Sequence, residues 1–528
     1  MTARNASPGI DHQSSLQFLC QHALLFICCV LFHIAGTWSL PLIDRDEPRF
    51  AEASREMIQR SDYVVPYFNN QLRLDKPPLT YWAQTVSYRI FGENDFAARF
   101  PSAVAAALIA ITLPIRGFRI GGRRTGWYAA IIFTLCLQTF IHAKAAVADM
   151  WLALFVTTAH WSGLELLRDG LTDTPHQTSS VKPRKLHWWF FFYISLALGF
   201  LAKGPIAWTP LLTVGSTVFY APNLQLRQRF KFVRGIALML LIVAAWGIPA
   251  LIQTNGEFLR IGIGRHVIGR SLGAMEGHGW NSLGGYILLL PFYFMTVFVS
   301  FFPWSIKLPS LVRRLWHTRD KLDCYLFSGA AIIFIVFSLL KTKLPHYTLP
   351  AFAMLALLLA RHWIPEQDPT GNVSGSQPSD SAESNKPTSD VSGGRSLFTT
   401  MAVTTACVWI AIALVVPPSV ARFFPAYQLF RESRAQLQPT MQFASVEFEE
   451  PSLVWYFRSR VKSFLTRLNK KNAVNFMSKP GPRFVIVPTS LVQELFPNHP
   501  EGWSFFPTRG FNIPKGKKVE LTLVLKSE

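Results

Sequence analysis

Long apolar runs recur along the chain, and short polar loops separate them. A helix needs about 20 mostly apolar residues to cross a bilayer, and only helices satisfy the backbone over so many lipid-facing segments. Spans of this kind are predicted at 20–40, 97–115, 125–142, 147–167, 187–202, 204–221, 233–253, 283–306, 324–340, 345–362 and 397–421. The pattern predicts an all-α polytopic membrane protein with roughly 11–13 transmembrane helices.

The charges of the polar loops set the orientation. Basic clusters follow every second predicted span, at 116–124, 182–185, 227–234 and 313–321. Basic loops stay in the cytoplasm by the positive-inside rule. We therefore expect a multi-pass protein of the cell inner (plasma) membrane. Loops 41–96 and 254–282 and the tail after residue 421 would face the periplasmic, outer side.

Two segments lack long apolar runs. Residues 365–396 are rich in Ser, Pro, Gly, Asp and Asn, a composition that cannot bury a core, so a disordered cytoplasmic linker is expected there. The tail contains RFVIVPTS and VELTLVLKS, which are typical of short strands. The sequence thus predicts a transmembrane domain at 1–421 and a small outward α/β domain at 422–528.

Composition narrows the class of function. Half of the 528 residues are apolar and the formal net charge is +21. The basic residues lie in short clusters between apolar runs, so we do not expect a nucleic-acid partner. The six cysteines show no metal-ligand spacing. The first apolar run is too long for a signal peptide and predicts an uncleaved first transmembrane helix.

The first outward loop opens with IDRDEPRF, in which carboxylates and guanidiniums alternate. Asp46 and Arg49 in this motif could be a carboxylate base beside a cationic phosphate site. The alternative is a helix start, where acids and Pro48 are favoured. The spacing of apolar residues over 46–60 predicts an amphipathic helix on the membrane surface.

A second motif of the same loop, NNQLRLDKPPLTYW, places Asp75 and Lys76 before two prolines that fix a rigid turn. A lysine held in this way can bind a lipid phosphate as a point charge. Tyr81 and Trp82 follow, and an aromatic membrane anchor is the more economical interpretation of both.

Three further polar sites lie at the outward ends of predicted spans. Asp149 begins the fourth span, where an acid is either a helix start or functional. The loop 254–282 interleaves glycines with arginines around one histidine, a pattern that favours an anion or a metal. The segment KTKLPHYTLP places two lysines in an outward loop, where the positive-inside rule makes basic residues uncommon. The residues concerned are Arg260, Arg265, His266, Arg270, Lys341, Lys343, His346 and Tyr347. The topology places all these sites on one face.

These motifs resemble a known family. IDRDEPRFAEASREM, DYVVPYFNNQLRLDKPPLTYW, FAARFPSA, LAKGP and KLPHYTLP, in this order, are similar to the aminoarabinose (4-amino-4-deoxy-L-arabinose) transferases of lipid A biosynthesis. Those enzymes are GT-C glycosyltransferases, as are the protein mannosyltransferases. The similarity covers roughly residues 40–360. It implies a GT-C fold and an inverting transfer of a sugar from a polyprenyl-phosphate donor, typically undecaprenyl phosphate-linked.

The resemblance also implies roles for individual residues. Asp46 matches the catalytic acidic residue of the family's first outward loop. Asp149 matches the acidic residue of the second outward loop. Lys76, Arg270 and Tyr347 match positions where the donor phosphate is bound, and Arg49 is a further candidate for binding it. Asp75 and His266 resemble a pair that can hold a divalent metal ion, although relatives often carry Glu at the position of Asp75. No nucleotide cofactor is implied, because the sugar arrives on a lipid.

The acceptor stays open between lipid A, another envelope lipid and a protein. A protein O-mannosyltransferase-like enzyme is one alternative, in which a hydroxyl acceptor would make the carboxylate base essential. A secondary transporter is an alternative from another class, but transporters place ionisable residues near the membrane midplane. Here such residues gather in the loops of one face, as expected of an enzyme whose partners are membrane lipids.

Overall fold

The computed structural model describes residues 9–171, 187–269, 282–318, 320–363, 388–498 and 500–528. Helices dominate the first 423 residues, because the long apolar runs can only satisfy their backbone internally. They are α1 Gly9–Ile34, α2 Asp46–Arg60, α3 Leu79–Phe91, α4 Asp95–Leu135, α5 Leu137–His142, α6 Asp149–Leu171, α7 Trp188–Lys203, α8 Thr209–Ser216, α9 Leu226–Phe230, α10 Phe232–Gln253, α11 Leu283–Leu288, α12 Phe292–Ser300, α13 Leu308–Thr318, α14 Lys321–Leu339, α15 Phe352–Arg361 and α16 Thr388–Val420. A π-helix, Leu259–Gly269, follows α10.

Every predicted span coincides with helical structure. Among the described residues, five helical stretches are long and apolar enough to cross a membrane: Leu16–Ile34, Asp95–Leu135, Leu226–Gln253, Lys321–Leu339 and Gly393–Phe423. Three predicted spans begin or end in a short 3₁₀ segment, and these segments are Pro205–Trp208, Trp304–Lys307 and Pro345–Ala351. Prolines begin or immediately precede these segments, because a proline removes a backbone donor. The chain is a polytopic, mainly helical membrane protein.

The longest described helical stretch, α4, contains the predicted span 97–115, the first part of the span 125–142 and the sharp bend between them. Gly121 and Gly122 leave helical geometry there, and Gly122 has φ 79°, which favours glycine. The two arms pack closely, since a Cβ on Gly117 would lie 2.3 Å from the Cα of Gly126. The predicted basic loop at 116–124 is therefore a tight turn between two helices.

Helix α2 forms where the first loop predicted it, but not on the membrane surface. Residues from Phe50 to Met57 are all buried, including Glu52, Arg55 and Glu56. A surface helix would bury one face only. The prediction was wrong because the polar residues of α2 find partners in α3, α4 and the tail, which sequence periodicity does not reveal.

The tail begins after the 3₁₀ turn Ala421–Phe423 and is a mixed α/β unit, as predicted. Its five-stranded sheet has the order β4-β3-β5-β7-β6, with β3 parallel to β4 and β5 and with β7 antiparallel to β5 and β6. The strands are β3 Gln442–Val446, β4 Leu465–Leu468, β5 Arg483–Pro488, β6 Trp503–Asn512 and β7 Lys517–Lys526. The helices are α17 Pro425–Ser433, α18 Pro451–Phe457, α19 Lys470–Ser478 and α20 Thr489–Leu495, and a hairpin of β1 Tyr67–Phe68 and β2 Gln71–Leu72 lies in the first loop.

A disordered linker was predicted at 365–396, and the described end of that range is helical. Helix α16 begins at Thr388, inside that range, because its apolar run is preceded by residues that continue the helix toward the N-terminus. The remaining part, 364–387, lies outside the described residues.

Candidate active site

A polar cavity of about 390 Å³ lies where the first loop, the start of α6, the end of α7 and the segment after α14 meet. Its lining includes three acids and five basic side chains, which are Asp46, Asp75, Asp149, Arg49, Arg73, Lys76, Lys203 and His346. Six of the eight predicted site residues line it: Asp46, Asp149, Lys76, Arg49, Tyr347 and Asp75. Arg270 lies outside the described residues, as does the side chain of His266. The first-loop motifs thus converge in space.

Asp149 and Lys203 form the central ion pair of the cavity. The Lys203 ammonium donates to Asp149, with Nζ 2.5 Å from Oδ1, and the Asp149 side chain is 9% exposed. Asp149 is the first residue of α6, whereas Lys203 is the last of α7, which Gly204 ends at φ 81°. The Lys-Gly-Pro sequence therefore fixes the lysine at a helix end.

A ring of neighbours surrounds this pair. His346 places Nε2 3.7 Å from Asp149 Oδ1, and the Lys203 ammonium lies 5.1 Å from the centre of the Tyr347 ring. His142 packs against His346 with ring centres 4.8 Å apart and the ring planes tilted by 34°. Lys203 and His142 were not predicted as site residues, although Lys203 lies in LAKGP, whereas His346 was among the outward polar residues singled out in KLPHYTLP.

The cluster of His142, Asp149 and His346 resembles a metal site, with ligand atoms within 4.8 Å of one another. Two of its three residues, however, already make hydrogen bonds within the chain. Asp149 already accepts from the Lys203 ammonium, and His142 Nδ1 lies 2.7 Å from Gln138 Nε2. The ammonium supplies the positive charge that a metal would bring, so we derive no step through a metal.

Arg73 links the first-loop turn to the cavity. Its Nε donates to the Tyr81 hydroxyl at 2.8 Å and lies 3.3 Å from Asp75 Oδ1. Burial raises the pKa of Tyr81 above its usual value. Tyr81 is 0% exposed, so its expected role as a membrane anchor was wrong. Asp75, which was predicted to hold a metal ion together with His266, thus lies beside the Arg73 guanidinium.

The helix that carries Asp46 is held by a buried ion pair between Glu47 and Arg99. Arg99 donates to both carboxylate oxygens, at 2.9 and 2.7 Å, and also to the carbonyls of Thr37 and Pro41. The Ile43 amide donates to the same carboxylate at 2.8 Å. A bidentate pair of this kind fixes geometry as well as charge. The FAARFPSA motif thus supplies a structural arginine for the first loop.

The tail also reaches the first loop. Arg458 of the tail pairs with Glu52 and, at 3.2 Å, with Glu56, while Arg55 donates to the Trp455 carbonyl at 2.9 Å. The Arg55 guanidinium lies 3.8 Å from the centre of the Trp455 ring. These buried contacts attach α2 to the tail, although the tail carries no motif that resembles the family.

Two of the outward basic residues support helices instead of the cavity. Lys343 is 6% exposed and donates to the Phe337 and Ser338 carbonyls at the end of α14. Arg260 pairs with Glu257 at 2.8 Å and is 76% exposed. A lysine at a helix C-terminus satisfies open carbonyls, which explains its position without a ligand.

A second cavity of about 370 Å³ adjoins the first and is mostly apolar. The two share Leu74, Asp75, Lys76 and Lys203. Its other walls come from α7 and α10 and include Phe200, Leu240, Val243, Trp246 and Leu251. An apolar channel thus leads directly to two lysines.

Comparisons with known proteins support the resemblance. The family model for dolichyl-phosphate-mannose-protein mannosyltransferase matches residues 75–248. The undecaprenyl phosphate-alpha-4-amino-4-deoxy-L-arabinose arabinosyl transferase of Erwinia tasmaniensis is 28% identical over 358 residues, covering 65% of this chain and 60% of the relative. The second such transferase of Sodalis glossinidius is 32% identical over 345 residues, covering 62% of this chain and 58% of the relative. The chain thus spans about six tenths of the length of these relatives.

The fold comparison extends over nearly the whole chain. The crystal structure of ArnT from Cupriavidus metallidurans bound to undecaprenyl phosphate matches with a TM-score of 0.71, at 17% identity, over 95% of this chain and 97% of that one. The tail, which had no sequence motif, falls within this coverage. The chain is therefore a relative of the aminoarabinose transferases and has the GT-C glycosyltransferase fold that its first-loop motifs predicted.

Proposed function

We propose that the chain is an inverting glycosyltransferase that moves a sugar from a polyprenyl-phosphate donor to lipid A or a related envelope acceptor. The observation that carries this proposal is the junction of the polar and apolar cavities at Lys76 and Lys203. A lipid chain suits the apolar cavity, and a phosphate suits two ammonium groups at its mouth. The ArnT crystal structure with the similar fold holds bound undecaprenyl phosphate, which supports this assignment.

The chemistry is a single displacement at the anomeric carbon. An acceptor oxygen attacks, and the bond between that carbon and the lipid phosphate oxygen breaks, with the electron pair leaving on the phosphate. Lys76, Lys203 and Arg49 stabilise the charge that develops on the leaving phosphate. Asp149 holds the Lys203 ammonium in place and so acts through it. These residues need no nucleotide, because the sugar is delivered on its lipid.

Asp46 is the carboxylate we assign to the acceptor. It is exposed within the polar cavity, next to Arg49, whereas Asp149 is buried and paired with Lys203. A hydroxyl acceptor would give its proton to Asp46, and a phosphate acceptor would be oriented by it. This division of roles extends the sequence-based prediction, in which both acids were candidates.

A protein acceptor is the second candidate, because the matching family model is that of protein mannosyltransferases. Mass analysis of lipid A, other membrane lipids and membrane proteins, with and without the chain, distinguishes the two. A sugar on lipid A supports the first proposal, and a glycosylated protein supports the second. Unchanged lipids and proteins, with donor present, would contradict both.

We propose that the polar cavity opens on the periplasmic side of the membrane. The loop 41–96 and the tail are proposed to lie on the same side. Alternate basic loops support this orientation. A reporter that is active only outside the cytoplasm, fused after Glu528, should be active. Activity of a cytoplasmic reporter at the same position would reverse the orientation.

A further inference from the structure

A third cavity, of about 590 Å³, lies at the opposite end of α4 from the polar cavity that holds Asp46 and Lys76, which we call the transfer pocket. The first arm of α4 runs about 39 Å from Asp95 to Ile120 at 1.5 Å per residue, which exceeds the hydrocarbon thickness of a bilayer. The cavity therefore lies at the other membrane interface. It is formed around the Gly121–Gly122 bend and is closed by the end of α15.

Arginines dominate the lining of this cavity. Arg119, Arg123, Arg124 and Arg361 line it together with Phe118 and Tyr128. Arg361 is neutralised by Asp320 and Asp323, at 2.7 and 2.6 Å. Arg119 is not fully neutralised, because it shares Glu165 with Arg116 and Arg168.

Two arginines at the bend have no acidic partner among the described residues. Arg123 donates to the neutral Gln21 amide at 2.9 Å. Arg124 makes no ion pair or hydrogen bond with any described residue. Both line the cavity, so an anion held there would be stabilised by their positive charge.

Apolar surface adjoins this charge. Phe118 is 64% exposed and Ile115 is 37% exposed on the same arm, and both belong to a helix long and apolar enough to cross a membrane. One wall of the cavity is formed by Tyr128, whose ring stacks on the Phe398 ring with centres 3.7 Å apart and is held in place by it. A ligand that fits has an anionic head for the arginines and an acyl chain for the exposed apolar side chains.

We propose that this cavity binds the phosphate headgroup of an anionic phospholipid. Basic pockets between transmembrane helices are suited to such headgroups. The charge here is concentrated in a concave site with stacked aromatic walls, and not spread along an exposed loop. The site is separate from the transfer pocket, and its occupation does not depend on the proposed function.

The test is native mass spectrometry of the full-length chain with phosphatidylglycerol or phosphatidylcholine. The chain should retain phosphatidylglycerol, and the double variant R123Q/R124Q should lose affinity for it by about thirtyfold. Both arginines are exposed, so the fold should persist, as circular dichroism would check. The matched control is R227Q/R234Q, which removes two exposed arginines from another basic loop and should keep the lipid.

Three outcomes would overturn the proposal. Equal retention by R123Q/R124Q and the unaltered chain would remove the arginines from binding. Loss of the lipid in K76A instead would place it in the transfer pocket. Inorganic phosphate that displaced the lipid at equal concentration would assign the cavity to a soluble anion.

Discussion

Lys203 and Asp149 lie 54 positions apart in the chain and meet with Nζ 2.5 Å from Oδ1, between the last residue of α7 and the first of α6. Each residue lies at one end of an apolar helix, where an unpaired charge is costly. The pair therefore connects two helix ends and fixes an ammonium at the mouth of the apolar cavity.

Removing one member of this pair should cost more than removing both. Lys203→Met leaves the Asp149 carboxylate buried without its ammonium, and breaking a buried pair in this way costs about 3–5 kcal/mol of unfolding free energy. The double variant Lys203→Met/Asp149→Asn should recover at least about 1 kcal/mol in a double-mutant cycle, measured by thermal unfolding in detergent. Additive losses would mean that the two side chains do not interact.

Lys76 is expected to bind the donor. Lys76→Ala removes a charge-assisted contact to the lipid phosphate, worth about 1.5–3 kcal/mol. The apparent donor affinity should fall about tenfold or more, as measured by titration of the polyprenyl-phosphate donor. Lys462→Ala, at an exposed tail position, is the control and should leave the titration unchanged. An unaltered donor titration in Lys76→Ala would make Lys76 a structural residue of the turn.

Asp46 is expected to act on the acceptor. Asp46→Asn keeps the shape but loses the charge, so turnover should fall about a hundredfold, the scale of lost general-base catalysis. Donor binding should persist, because the phosphate contacts are assigned to Lys76 and Lys203. Turnover and donor binding are measured on the same purified variant. Near-normal turnover would leave Asp149 as the better candidate, and lost donor binding would make Asp46 a partner of the arginines.

Asp44 should make stability depend on pH. Burial raises the pKa of this carboxyl from 3.8 to about 7, although hydrogen bonds from Ser452 lower it. The folded state then holds a proton that the unfolded state releases, so the free energy of unfolding falls as pH rises from about 4 to about 7. Asp44→Asn lacks this titration.

The comparison that isolates Asp44 is the stability of Asp44→Asn relative to the unaltered chain. As pH rises from the unfolded-state pKa to the folded-state pKa, this difference should grow in favour of the variant by about 1.36 kcal/mol per pH unit. Glu449→Gln, at an exposed acid of the tail, is the control for the loss of one carboxylate. A difference independent of pH would show that Asp44 is ionised throughout.

Arg458 should be needed for the first loop to stay folded. It lies 4% exposed beside Glu52 and Glu56, both nearly inaccessible. Arg458→Met should lower the unfolding free energy by about 3–5 kcal/mol, and Arg460→Met, at an exposed position two residues on, should change it little. Limited proteolysis of α2 provides a second measurement. Equal stability of the two variants would contradict a role for the buried network.

The fold was largely predictable from the sequence because apolar runs of bilayer length allow only helices. Strands β5 and β7 were predictable for a similar reason, since short runs rich in β-branched residues, RFVIVPTS and VELTLVLKS, favour strands. The burial of α2 was not predictable. Its acids pair with Arg458, about four hundred residues later, and periodicity carries no information on such contacts.

The site was predictable to the extent that motifs marked it. Asp46, Asp75, Lys76 and Asp149 line one cavity, as expected. Lys203 was missed as a site residue because an isolated lysine at the end of an apolar run is usually an interfacial charge. Arg99 gave no signal of its own, since its role is to bind Glu47 and carbonyls that come together only in the folded chain.

The contact between Glu52 and Arg458 also determines when α2 can complete its packing during synthesis. The two residues are 406 positions apart, which is roughly 20–80 s of translation at about 5–20 residues per second. For most of that time α2 has emerged from the ribosome without the guanidinium that its acids need. A chain released before the tail is complete would therefore carry every motif of the first loop and still lack the contact between Glu52 and Arg458, so the packing of α2 is completed only with the tail.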